Sequence, residues 1–268
     1  MATASIQPFN EKAAYVWSSG GHGYEIIAQQ CLPGIVHAVD RLDPRPGELV
    51  LDVGTGTGRA AREVAARGAS ATGVDIAEEM LNASRAQTAH QGIDFRLGDA
   101  EALPFEDAAF DKAISTFGVM FSVQPHVAVS ELARVLRPGG RLAVTAWTPD
   151  SNAVLMRQEL APFAPPPPEQ APPAPWAWGT EEGLQEYLGA DFDFEFETGV
   201  LHLRYPDANA FWRTFADVFG PVKAVADGLE ADRREALAAA LRRWAGAFRS
   251  NCGISIPCEY VLTVAHRK

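Results

Sequence analysis

The chain has 268 residues, enough to bury one substantial core, and its 47% apolar fraction is that of an ordinary globular protein, so one domain with an insertion is expected rather than two full domains. A formal net charge of −11 argues against a surface that tracks nucleic-acid phosphates, and three cysteines (Cys31, Cys252 and Cys258) form no CxxC pair and no even set, so neither a disulfide framework nor a metal site is indicated. No basic leader with an apolar run opens the chain and no stretch reaches membrane-spanning length, so a cytoplasmic protein without export signal or anchor is expected.

Residues 1–46 read as an N-terminal helical segment, with one helix over 10–18 and a second over 25–42 that is broken near Pro33. Between them lies Ser18-Ser19-Gly20-Gly21-His22-Gly23-Tyr24, too flexible in composition for a helix. Residues 49–53, Leu-Val-Leu-Asp-Val, are a short apolar run bounded by Gly47 and Gly54, the signature of a buried strand in a parallel sheet. Gly54, Gly56 and Gly58 follow at every second position, alternating with Thr55 and Thr57. They permit a tight turn and close approach of a ligand, and a helix over 59–66 offers its free N–H groups. A dinucleotide fingerprint would need glycine where Arg59 stands, and a P-loop would need a following lysine.

What remains, Asp52-x-Gly54-x-Gly56-x-Gly58 at a strand end, resembles motif I of the class I S-adenosylmethionine-dependent methyltransferases. The resemblance implies S-adenosylmethionine as cofactor and S-adenosylhomocysteine as product. The glycine loop with Thr55 would pack on the methionine part, and Asp52 would receive the cationic amino group. Asp52 equally suits a helix cap or a loop-stabilising carboxylate. In that family an N-terminal helical segment folds over the cofactor, which would make 18–24 a hinge and bring Tyr15, Trp17, His22 and Tyr24 near the methionine end.

The second strand, 69–76, carries Asp75 about twenty positions past the glycines, where an acidic residue can accept from ribose hydroxyls. Ile76 and Met80 could pack on an adenine face, although core packing accounts for Met80 as well. A helix over 77–91 leads to a third strand, 93–97, closing on Gly98-Asp99-Ala100. In the resembling family that Asp-Ala pair meets the adenine amino group and ring. An acidic surface turn is the other account of Asp99, but it is the third acidic residue to end a successive strand. Strand four, 110–115, ends at Thr116-Phe117-Gly118-Val119-Met120-Phe121, without the Asn/Asp-Pro-Pro-Tyr/Phe that nucleic-acid and amide amino-methyltransferases often carry. Thr116 and Phe117 are assigned to the cofactor. A helix over 124–136 then meets Leu136-Arg137-Pro138-Gly139-Gly140-Arg141, a turn similar to that of the ubiquinone/menaquinone C-methyltransferase-like branch, before strand five at 142–147.

Beyond residue 150 the pattern changes. Residues 162–175 are dominated by proline and should form a stiff, extended surface segment followed by Trp176 and Trp178. A helix over 180–188 and a sixth strand over 192–205 precede two helices, 207–219 and 230–249, whose apolar stripes fit either core packing or a lid over an apolar substrate. The final strand, 259–265, should run antiparallel beside strand five.

This order implies an α/β, Rossmann-like, doubly wound and mostly parallel seven-stranded sheet with an antiparallel last strand, N-terminal helices and a helical cap. Its parts would be a cofactor-covering segment (1–46), a binding core (47–150), a proline-rich loop with sixth strand and cap forming the substrate pocket (151–257), and the last strand (258–268). The expected function is methyl transfer to a small, partly apolar or aromatic acceptor, O- or C-methylation being favoured over N. Met120, Trp147, Trp178, Phe211 and Phe215 are expected to line its pocket. No metal, nucleic acid or membrane is expected, and the assembly would be a monomer or homodimer. If the acceptor must lose a proton, His22 is the candidate base, since His37 should pack on its own helix, His126 opens a helix and His202 suits a cross-strand contact. Two rivals are a cyclase-like enzyme on the same fold and a cofactor-binding partner or sensor module.

Overall fold

A computed structural model describes residues 6–88, 92–166 and 172–268. The chain opens with α1 (Glu11–Ser18), α2 (Glu25–Gln30) and α3 (Leu32–Leu42). The break between α2 and α3 falls at Cys31, ahead of the expected place, because Pro33 sits in the first turn of α3, where its missing N–H leaves no bond unmade. The stretch expected to be too flexible for a helix contains a 3₁₀ turn, Gly21–Tyr24.

The alternation of strand and helix then runs β1 (Leu49–Val53), α4 (Arg59–Ala66), β2 (Ser70–Asp75), α5 (Glu78–Thr88), β3 (Asp94–Leu97), β4 (Phe110–Thr116), α6 (Pro125–Val135) and β5 (Leu136–Trp147). The last three residues expected in the 77–91 helix lie outside the described residues. Strand β5 begins six residues earlier than its apolar run suggests. The Arg137-Pro138-Gly139-Gly140 stretch is drawn into it as an irregularity, where pairing jumps from Phe110 with Leu136 to Lys112 with Arg141.

The remainder comprises α7 (Asn152–Leu160), α8 (Glu181–Leu188), β6 (Phe192–Tyr205), α9 (Ala208–Val218), α10 (Gly220–Asp227), α11 (Ala231–Gly246), the two-residue β7 (Arg249–Ser250) and β8 (Gly253–Arg267). Part of the proline-rich stretch, 167–171, lies outside the described residues. The cap has three helices rather than two, and β8 is twice the expected length.

The strands join in the order β3-β2-β1-β4-β5-β8-β6, with β7 paired to β8 alone. Pairing is parallel from β3 to β5 and antiparallel on both sides of β8. This is the Rossmann-like arrangement with an antiparallel last strand, an eighth two-residue strand being added. Both faces are covered: Val50 of β1 belongs to a core shared with α3, α4 and the cap, while Leu51 and Val53 belong to one shared with α6 and α8. Strand order reverses between β1 and β4, and in sheets of this kind the crevice at the carboxyl ends beside that reversal receives the ligand.

Candidate functional site

A cleft opens at that reversal. Its floor is made by the residues that end four parallel strands: Gly54, Thr55 and Gly56 after β1, Asp75 and Ile76 at β2, Asp99 and Ala100 after β3, and Thr116 and Phe117 at β4. Its roof is the N-terminal segment, through Asn10, Ala13, Trp17, Tyr24, Ala28, Cys31 and Ile35.

The glycines have separate tasks. Gly54 and Gly58 have φ of +68° and +79°, and a Cβ there would lie 2.9 Å from Gly118 Cα and 2.8 Å from the Phe95 ring. These two allow protein to approach protein. Gly56, with φ of +54°, has nothing within 4 Å of a Cβ position and forms part of the cleft wall, so its bareness faces the space a ligand would fill.

Asp75 lies in the floor with Oδ2 accepting from Gly56 N (2.8 Å) and Oδ1 from Ala77 N (2.9 Å). Two such bonds leave a carboxylate capacity for further donors. Burial pushes its pKa up, against the backbone hydrogen bonds. Asp99 is 1% exposed and is reached from the roof by Asn10.

Asp52 is not in the wall. It is 1% exposed, and its Oδ2 accepts from Thr55 Oγ1 (2.6 Å) and Ala61 N (3.0 Å). It therefore ties the glycine loop to the first turn of α4 through Oδ2, a loop-stabilising role, while its Oδ1 is buried with no hydrogen-bond partner among the described residues. Gly58 likewise supports the loop from outside the wall. A cation that the sequence did not single out, Arg59, does line the cleft. It pairs with Glu25 of α2, while Arg59 Nε and Glu25 Oε2 are buried with no hydrogen-bond partner among the described residues.

The aromatic residues divide sharply. Trp17 packs on Phe121 with ring centroids 5.2 Å apart and meets Tyr24 edge-on at 6.1 Å, and all three line the cleft. Phe117, also in the wall, takes a φ of +54°, unusual for a bulky residue, and stacks on Trp147 at 4.0 Å. The residues expected to meet the acceptor stand elsewhere. Met120, Trp178, Phe211 and Phe215 are each at most 4% exposed and belong to the cores, and Trp147 backs Phe117 from behind the wall. The apolar stripes of the cap helices pack on one another, on α1 and α7, and on β6 and β8. Tyr15, 78% exposed, points away from the cleft, and Met80 is in the wall although only 2% exposed.

His22 is exposed and outside the wall. His37 does not pack on its own helix: its Nδ1 lies 2.9 Å from Tyr260 Oη and its Nε2 3.2 Å from Glu197 Oε1. His202 makes its cross-strand contact with Ser255 Oγ (3.0 Å), and His126 faces Glu186 (3.6 Å). Among the described residues no three His, Cys, Asp or Glu side chains are grouped to hold a metal ion, and no helix is long and apolar enough to cross a membrane.

Residues 51–144 match the family described as a methyltransferase domain. Over 180 residues the chain is 35% identical to an uncharacterized protein of Mycobacterium tuberculosis, spanning 66% of this chain and 65% of that one. Over 154 residues it is 34% identical to the demethylmenaquinone methyltransferase of Corynebacterium kroppenstedtii, spanning 55% and 65%. The chain thus spans slightly under two thirds of the length of these relatives. Among solved structures it resembles the YcgJ protein of Bacillus subtilis, at 20% identity and a TM-score of 0.59 over 87% of this chain and 97% of that one, a likeness of fold.

Proposed function

We propose, from the premise that this chain belongs to the class I S-adenosylmethionine-dependent methyltransferases through its domain at residues 51–144, that it methylates a small, partly apolar or aromatic acceptor at oxygen or carbon. The observation that carries this reading is the floor of the cleft: a bare glycine loop, Asp75 with acceptor capacity in hand, and Asp99 with Ala100, at the ends of three successive strands beneath an aromatic roof.

The residues present fit the cofactor. Gly56 leaves room at the loop, Asp75 suits a ribose diol, Arg59 with its unpartnered Nε suits a carboxylate, and Ile76 and Met80 offer apolar surface to a purine. S-adenosylmethionine supplies an electrophilic methyl group. What the chain's own residues contribute is placement: Trp17, Tyr24, Phe117 and Phe121 enclose the acceptor side and exclude water. Orientation of this kind is worth about 7–11 kcal/mol of barrier. Burial raises the pKa of the Tyr24 hydroxyl and pushes the Cys31 thiol up to about 12, so both remain protonated at neutral pH and offer donors rather than bases to an acceptor oxygen.

Titration calorimetry with S-adenosylhomocysteine tests the cofactor. Asp75→Ala should weaken binding by about 1.5–3 kcal/mol, the usual loss of a hydrogen bond to a charged group. Wild-type affinity in that variant would remove Asp75 from the site. Methyl-labelled cofactor with panels of phenols, enols and quinols then tests the acceptor class, and label found only on amines would overturn it.

A further inference from the structure

Phe117 is a bulky residue held where bulky residues rarely rest. Its φ of +54° lies in the left-handed region, a costly conformation for a side chain of this size. Thr145 fixes it there, since Phe117 N donates to both its carbonyl oxygen and its Oγ1 at 3.1 Å.

The ring that this backbone carries is fixed on three sides. Trp147 lies nearly parallel behind it, with centroids 4.0 Å and planes 16° apart, and Tyr260, the ladder partner of Trp147, stands perpendicular at 5.8 Å. The tip reaches the roof. A Cβ on Gly34 of α3 would lie 3.3 Å from Phe117 Cζ and 3.4 Å from Cε2, so bare backbone lets α3 come down on the ring. Cys31 and Ile35, on either side of that glycine, belong to the cleft wall.

The ring thus stands as a plate between the end of β4 and α3, and strand order gives the plate a front and a back. β5 and β8, which carry Trp147 and Tyr260, lie on one side of β4, while β1 with its glycine loop lies on the other. Phe117 lines the cleft and Trp147 does not, so the face turned away from Trp147 looks toward the glycine loop.

We propose that Phe117 is the platform on which the acceptor lies, and that the acceptor carries a planar aromatic ring rather than a saturated apolar one. Trp147 and Gly34 are positioning residues that set the plane and the reach of the platform. An aromatic ring on the front face extends the stack of Phe117 on Trp147, and its plane fixes the direction from which its attacking atom meets the methyl group. Resting on the methyltransferase reading above, this assignment narrows the acceptor from apolar or aromatic to aromatic.

The test is calorimetry on the full chain saturated with S-adenosylhomocysteine. Its probes are phenol, 2-naphthol and 4-phenylphenol, each beside its ring-saturated alcohol (cyclohexanol, decahydro-2-naphthol and 4-cyclohexylcyclohexanol). In wild type at least one aromatic probe should bind about five- to tenfold more tightly than its saturated partner, the upper figure corresponding to about 1.4 kcal/mol. A merely apolar pocket would favour the saturated partner, which has the larger apolar surface. Phe117→Leu should bring the ratio within about twofold while S-adenosylhomocysteine affinity holds, and Trp147→Leu should lower it where Trp147→Phe restores it. Each ratio is taken within one protein, so a general loss of stability cancels. A wild type that prefers neither partner, prefers the saturated alcohols, or binds S-adenosylhomocysteine but none of the probes overturns the proposal with no variant needed. So does a Phe117→Leu protein that keeps the ratio, or one that melts cooperatively yet loses S-adenosylhomocysteine, which would give Phe117 to the cofactor. A wild type that binds no S-adenosylhomocysteine removes the cofactor reading as well.

Discussion

Asp52 is a buried acid, 1% exposed, and that makes it measurable. Burial pushes its pKa up to about 7 against the hydrogen bonds from Thr55 and Ala61. The folded protein therefore holds a proton that the unfolded chain releases near pH 4, and stability falls as pH rises from about 4 to about 7, by at most about 1.4 kcal/mol per pH unit. Asp52→Asn should flatten this slope in thermal melts across that window, and an unchanged slope would show that other groups produce it. Asp75, also raised by burial, contributes with the same sign. At His22 the expected outcome is the reverse of a base's loss: with the ring exposed and outside the wall, His22→Ala should leave kcat within about twofold, checked between pH 6 and 9, whereas loss of a general base is worth about 10²–10⁴-fold. Residues such as Gly56 and Asp75 were legible in the sequence because motif and strand end coincide. Asn10 was not, since its partner lies 89 positions away and only the folded roof brings the two together.

Among the elements, the glycines of the first forty residues had a meaning that composition concealed. Gly20-Gly21-His22-Gly23 reads as a flexible hinge, but a Cβ on Gly20 would lie 2.4 Å from Val218 O and one on Gly23 2.4 Å from Val218 Cγ1. Across the contact, a Cβ on Gly220 would lie 2.2 Å from Val16 O. Bare backbone on both sides lets α1 and the following 3₁₀ turn seat directly on α9 and α10. Gly220→Ala should therefore lift α1 from the cap, lowering stability by about 1–3 kcal/mol and quickening tryptic or chymotryptic cleavage within 11–24, as read by mass spectrometry. Cleavage at the wild-type rate would mean that the contact relaxes without strain. The central strands were legible because burial on both faces writes apolar runs, whereas β6, a largely exposed edge strand, was readable over its whole span from its alternation. The cap was less so: Gly220-Pro221 reads as a stop yet starts α10, where proline in a first turn is harmless, and α7 buries only Met156, too little to write a stripe.

For the whole molecule, the cleft lies between parts far apart in sequence, the roof at 10–35 and the floor at 53–122, so a ligand bridging them should stabilise the folded chain as one unit. At a hundred times its Kd, S-adenosylhomocysteine should add about 2.7 kcal/mol, and it should slow proteolysis at 18–24 in particular. A midpoint that rises while cleavage there stays unchanged would mean that the roof does not close on the ligand. A different consequence follows from the place of β8. Every ladder partner of β6 lies on Gly253–Arg267, and β5 meets the same strand on its other edge. During synthesis, then, β5 and the fourteen residues of β6 leave the ribosome with no neighbour on the edges they will share, and the three cap helices are made before their supporting strand exists. A stop codon after Cys252 should leave the parallel half able to collapse, yet yield a product recovered in the insoluble fraction, because two apolar strand edges remain open. Nascent chains stalled at that point should recruit holding chaperones, and release of those chaperones should coincide with emergence of the last fifteen-residue strand rather than with completion of residues 51–144.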